Sequence, residues 1–70
     1  MDRPTFVFET TTAALWAEAL AGERAIPAEL VPAPTDSRAK CDLALVTLSD
    51  RGDELASALE AEGVPARRWG

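Results

Sequence analysis

Two periods of apolar residues alternate along this chain. Thr5-Phe6-Val7-Phe8 is short, aromatic and β-branched, and it predicts a strand. From Ala13 to about Arg24 the chain is rich in Ala, Leu and Glu, which are strong helix formers. Within it Ala13, Ala17, Leu20, Ala21 and Arg24 recur at helical spacing. The Ala and Leu members make a narrow core face, with Leu15 and Trp16 at its edges. Thr10, Thr11 and Thr12 stand just before, and any of the three can cap the helix. Gly22 weakens the last turn and Pro27 forbids continuation.

Glu29-Leu30-Val31 predicts a second short strand, ended by Pro32 and Pro34, which have no N–H for a ladder. Thr35 to Asp42 is polar and charged. Leu43 to Leu48 is almost continuously apolar apart from Thr47, the pattern of a central strand. Ser49 to Glu54 starts a second helix, with acids in the first turn that suit the helix dipole. Leu55, Ala58 and Leu59 give that helix its apolar face. Gly63 fits its left-handed stop and Pro65 follows. Ala66-Arg67-Arg68-Trp69 predicts a short final strand.

The predicted order is β-α-β-β-α-β. Two crossover helices of this length cover one face of a four-stranded antiparallel sheet, the ferredoxin-like two-layer plait of the α+β class. A β-α-β-α-β-β arrangement competes with it. That arrangement needs a packed helix at Thr35–Lys40, where six residues after Pro34 support one turn at most. In the plait, strand one ends where helix one begins, and strand two ends at the same edge of the sheet. Cys41, just before strand three, is thereby expected near Thr10, Thr11 and Thr12 and the positive end of the helix dipole, which can stabilise a thiolate.

Composition narrows the chemistry. Seventy residues leave room for one domain, 1–70, with one core. A net charge of −5 argues against a nucleic acid partner, and no apolar run approaches the ~20 residues needed to span a membrane. The N-terminal Met1-Asp2-Arg3-Pro4 lacks the apolar region of a signal peptide, so the expected location is cytoplasmic. The chain has no histidine and one cysteine. No intramolecular disulfide, Ser–His–Asp triad, Cys–His pair or closed zinc site can be built from that set, and no catalytic constellation, cofactor or metal site is expected. Cys41 is the one soft nucleophile. Asp50, Asp53 and Glu54 look like paired carboxylates, but at a helix start they read as dipole partners. Trp16 reads as a packing residue, Trp69 as packed or half exposed near the C-terminus, and Arg67-Arg68 as a solvated edge.

Two stretches are distinctive. One runs Leu30-Val31-Pro32-Ala33-Pro34, a polar segment, then Cys41-Asp42-Leu43-Ala44-Leu45. The other is Phe8, then Ala14-Leu15-Trp16-Ala17-Glu18-Ala19-Leu20, then Ile26-Pro27. Together they resemble the selenium/sulfur (Se/S) carrier protein-like family of small domains. That family pairs a helix patterned A-L-x-A-E-x-L with an I-P-x-P strand end and opens its third strand with Cys-Gly. The resemblance spans about Thr5 to Val64.

The resemblance implies that Cys41 holds sulfur or selenium as a persulfide or selenopersulfide, with Pro32, Pro34, Lys40 and Asp42 in the supporting loop. It implies as partners a donor enzyme, such as a cysteine desulfurase, and an acceptor protein. Asp42 stands where the family has Gly, and Arg38-Ala39-Lys40 replaces a small, hydroxyl-rich run. A carboxylate beside the sulfur disfavours the thiolate, while Arg38 and Lys40 offset it. A carrier needs an exposed thiolate and no base, metal or cofactor, so the absence of histidine suits it.

The bland reading of the same residues is a ferredoxin-like interaction or ligand-binding module. There Cys41 is structural, Pro32 and Pro34 are a strand terminator and a rigid turn, and the threonines are a cap. Its contact surface, and a homodimer, would use the open sheet face. A metallochaperone has the same fold, but one Cys and no His supply too few soft ligands.

Overall fold

A computed structural model describes residues 3–34 and 42–69. The elements are β1 (Thr5–Val7), α1 (Thr11–Glu23), β2 (Ala28–Pro32), β3 (Leu43–Thr47), α2 (Gly52–Glu62) and β4 (Arg67–Trp69). All four strands join one sheet in the order β2-β3-β1-β4, with every neighbouring pair antiparallel. Each helix connects two strands that are parallel to one another and separated by one strand between them. This is the ferredoxin-like plait. The segment on which the competing arrangement depends, 35–40, lies outside the described residues.

The period-two alternation of the strands decides which side each residue serves. Phe6, Phe8 and Leu45 face the helices and form one core with Ala13, Ala14, Ala17, Leu20 and Ala21 of α1 and Leu55, Ala58 and Leu59 of α2. Five of those eight helix residues are alanines, so the helices lie close to the sheet and the rings of Phe6 in β1 and Phe8 just after it fill the space. Thr47 also points to the helix side and is fully buried. Its hydroxyl donates to the carbonyl of Pro27, which satisfies the one buried polar side chain among the described residues. On the opposite face lie Val7, Ala44 and Val46, also buried, with Val31 and Trp69 half-buried and Glu29 exposed.

Four details differ from the sequence expectation. The first helix begins at Thr11, two residues early, because Thr10 is the cap: its side-chain oxygen accepts from the Ala13 amide at 3.1 Å. Pro32 does not end β2 from outside but is its last residue, opposite Leu43. The Ala33 amide donates to the Asp42 carbonyl at 2.8 Å, so 33 and 42 are a hydrogen-bonded pair. By alternation 32 and 43 are a non-bonded pair, and the nitrogen of Pro32 points away from the ladder.

Trp16 is 45% exposed rather than packed. Arg68 is exposed on an edge strand, as expected, but it is engaged there as well. Its guanidinium lies 5.8 Å over the Phe6 ring and donates to Asp53 of α2 at 2.7 Å. β4 has its inward face on α2, so the second arginine of the pair bridges strand and helix.

Both helices end in the same way. At α1, Ala25 N–H donates to Gly22 and Ile26 N–H to Ala21; at α2, Gly63 N–H donates to Glu60 and Val64 N–H to Leu59. These are paired Schellman closures, each followed by a buried apolar residue, Ile26 or Val64.

Candidate functional site

The register assembles one end of the sheet from four separate stretches. Val7 lies opposite Ala44, Ala44 opposite Val31, and Val7 opposite Arg67. The last residue of β1, the last but one of β2, the second of β3 and the first of β4 therefore share one row. Beyond that row the chain continues through Phe8 and Glu9 into the start of α1, through Pro32 and Ala33 to Pro34, and back from Asp42 into β3. The expectation that strands one and two end at the same edge holds, and with it the placement of Asp42 and Pro34 at the end where α1 begins.

Of the expected site residues, Thr10 has the clearest job. It closes the first turn of α1, accepting from Ala13 through its side chain and from Ala14 through its carbonyl at 3.2 Å. Thr11 and Thr12 are exposed in that turn, which contains no acidic residue. Pro32 is exposed, Pro34 is partly buried and Asp42 is exposed. The Ala33–Asp42 hydrogen bond ties the two ends of the connection together just outside the ladder. Cys41 and Lys40 lie outside the described residues, and so do Asp36 and Arg38.

The same end of the sheet holds a cleft of about 440 Å³ between β1 and β4. It is lined by Val7, Phe8, Glu9, Pro65, Ala66 and Arg67, and it presents one acid and one base above an apolar floor. Sequence reasoning missed it. Glu9 and Arg67 are far apart in the chain, and only the β1–β4 pairing, which sets Val7 opposite Arg67, brings them to one end of the sheet. The cleft lies on the β4 side of β1, whereas Asp42 leads into β3 on the other side. At ~4.8 Å per strand the two are separated by roughly 10 Å. A second cleft of about 400 Å³ opens between α2 and β4, over Phe6, Leu59 and Val64.

No group of three or more His, Cys, Asp or Glu residues among those described is arranged to hold a metal ion. No helix among them is long and apolar enough to cross a membrane. Surface pairs among the described residues include Arg3–Glu29 at 3.9 Å, Arg24–Glu62 at 3.3 Å, Arg51–Glu54 at 2.6 Å and Arg68–Asp53 at 2.7 Å. The Arg51 hydrogen bond holds the Glu54 carboxyl below its ordinary value, against a smaller opposing effect of desolvation. These pairs occupy Asp53 and Glu54 structurally, in keeping with their expected role at the helix start.

A family model described as "Putative Se/S carrier protein-like" matches residues 4–69. The chain belongs to the Se/S carrier protein-like family. The match begins at Pro4, whose carbonyl accepts from the Thr47 amide at 3.1 Å and continues the central ladder. It ends at Trp69, the last residue of β4, so every element of the plait lies within the Se/S carrier-like unit. No curated protein and no solved structure matches the chain.

Proposed function

We propose that the protein is a non-catalytic carrier that accepts sulfur or selenium on Cys41. The supporting observation is membership of the Se/S carrier-like family across nearly the whole chain, joined to the fact that this chain has a single cysteine. Cys41 precedes Asp42, whose carbonyl is held by the Ala33 amide at the sheet end where α1 begins. A thiolate brought to that helix start would be stabilised there, which is what the reading requires of Cys41.

The proposed chemistry is a balanced exchange. The Cys41 thiolate attacks the terminal sulfur of a donor persulfide. A new S–S bond forms on Cys41, the donor's S–S bond breaks, and its electron pair leaves with the donor thiolate. A thiolate on the acceptor takes the terminal sulfur in the same way and returns Cys41 as a thiolate. No external oxidant, reductant, metal or base is required. A selenopersulfide follows the same scheme. The partners are then a donor enzyme and an acceptor protein, and the proposed location is the cytoplasm.

Sulfane-sulfur loading of the wild-type protein and of Cys41→Ala, by a persulfide donor at neutral pH, tests this reading. Labelling of the wild type alone is expected. Equal loading of both proteins would sink it. A companion measurement is the pH dependence of Cys41 alkylation beside free cysteine. A rate that stays high below the ordinary thiol range supports a carrier, and one that rises only on unfolding marks a structural thiol.

A further inference from the structure

The two helices differ on their outward sides. On α2 that side is Asp53, Glu54, Ser57, Glu60, Ala61 and Glu62, all exposed and mostly charged. On α1 it carries Leu15 and Trp16, 50% and 45% exposed, and Ala19, also exposed. Helical spacing makes these three contiguous, because Leu15–Ala19 is an i,i+4 pair and Trp16–Ala19 an i,i+3 pair. The inward side of α1 is apolar as well, so Leu15, Trp16 and Ala19 form a second apolar patch on this helix, interrupted on its outer surface by Thr11, Thr12, Glu18 and Glu23.

The rim of the patch has one sign of charge. Glu18 and Glu23 flank Ala19 on either side, and neither pairs with a cation among the described residues. The nearest base in the helix direction, Arg24, is engaged by Glu62. A second copy of this chain would set these acids against their own kind, and an anionic lipid surface would repel them.

We propose that the outward face of α1, centred on Leu15, Trp16 and Ala19, is the docking surface for a protein that offers an apolar groove or helix face rimmed by Lys and Arg. The surface goes beyond the carrier reading and stands whatever Cys41 does. Apolar contact supplies affinity, and the Glu18 and Glu23 rim supplies sign selectivity that weakens with salt.

The test uses the full chain as Trp69→Phe, which leaves Trp16 as its single tryptophan, and as its Cys41→Ser derivative. The probes are two synthetic amphipathic helical peptides with the same Leu stripe, one with Lys on the polar side and one with Glu. The Lys peptide is expected to shift Trp16 emission to the blue in both proteins, less so at high salt, and the Glu peptide to leave it unchanged. Leu15→Ser, an exposed position, is expected to weaken the response about tenfold with the circular dichroism unchanged. Glu18→Lys with Glu23→Lys is expected to reverse the preference between peptides. An equal response to both peptides, indifference to Leu15→Ser, or no response of Trp16 overturns the proposal. A blue shift that grows with protein concentration alone also overturns it, in favour of a second copy. Because the readout is the same with Cys41→Ser, its failure is separate from failure of the carrier reading.

Discussion

Ala25 holds at the end of α1 the left-handed position that Gly63 holds at the end of α2. Their φ angles are +56° and +74°, and the hydrogen bonds around them are the same. A side chain in that region crowds the neighbouring carbonyl, at a cost of about 1–2 kcal/mol. Glycine escapes the crowding but gives up more chain entropy on folding. Ala25→Gly is therefore expected to stabilise the fold by about 0.5–1 kcal/mol, and Gly63→Ala to destabilise it by a similar amount. Urea midpoints compared with wild type check both signs, and a fall for Ala25→Gly would refute the account of this turn.

Two other glycines are expected to respond in opposite directions to alanine. A Cβ on Gly52 would lie 2.6 Å from Cγ of Pro4 and 2.7 Å from Nη2 of Arg68, whereas one on Gly22 meets nothing within 4 Å. Gly52 is buried at the start of α2, where the chain before β1 crosses it. Gly52→Ala should cost about 1–3 kcal/mol through overpacking. Gly22→Ala should gain up to about 1 kcal/mol through helix propensity. Thermal unfolding of the two single variants separates them, since one kcal/mol moves the midpoint of a domain this size by roughly 4–8 °C.

The Arg51–Glu54 pair predicts a limb of the stability curve in acid. The Arg51 hydrogen bond lowers the folded-state pKa of Glu54 relative to its ordinary value of 4.5. A depressed carboxyl contributes stability above its unfolded value and loses it as pH falls through the lower folded value. The contribution is thus full at neutral pH and disappears below about pH 4.5. Glu54→Gln should flatten that part of the curve and leave the shape above pH 6 unchanged. Denaturation series at pH 3, 4, 5 and 7 measure it, and parallel curves for both proteins would rule the pair out as a source of pH dependence.

Asp42 places a carboxylate next in sequence to Cys41 where the family has glycine. If the thiolate is the working form, Asp42→Gly removes a like charge and should raise the alkylation rate of Cys41 at pH 7 by roughly threefold. Asp42→Asn should give most of that gain, because the charge and not the size is removed. A rate unchanged in both variants would show that the carboxylate and the sulfur do not sense each other.

Much of the fold was legible in the chain itself. The aromatic run at Thr5–Phe8, the Ala/Leu spacing of α1, the apolar run from Leu43 and the Gly63-Val64-Pro65 stop are local patterns, and local patterns choose between strand, helix and turn. The order β-α-β-β-α-β followed from them. Other features were decided only by tertiary structure, because each depends on residues distant in sequence. The nitrogen of Pro32 is harmless because β2 is an edge strand and position 32 faces away from β3. Arg68, though exposed, is engaged by Asp53 and the Phe6 ring because β4 pairs with β1 beside α2. The Glu9–Arg67 cleft exists because β1 pairs with β4. Trp16 has the spacing of a core-edge residue, yet it is left outside: α1 turns four alanines toward the sheet, where Phe6, Phe8 and Leu45 fill the interior.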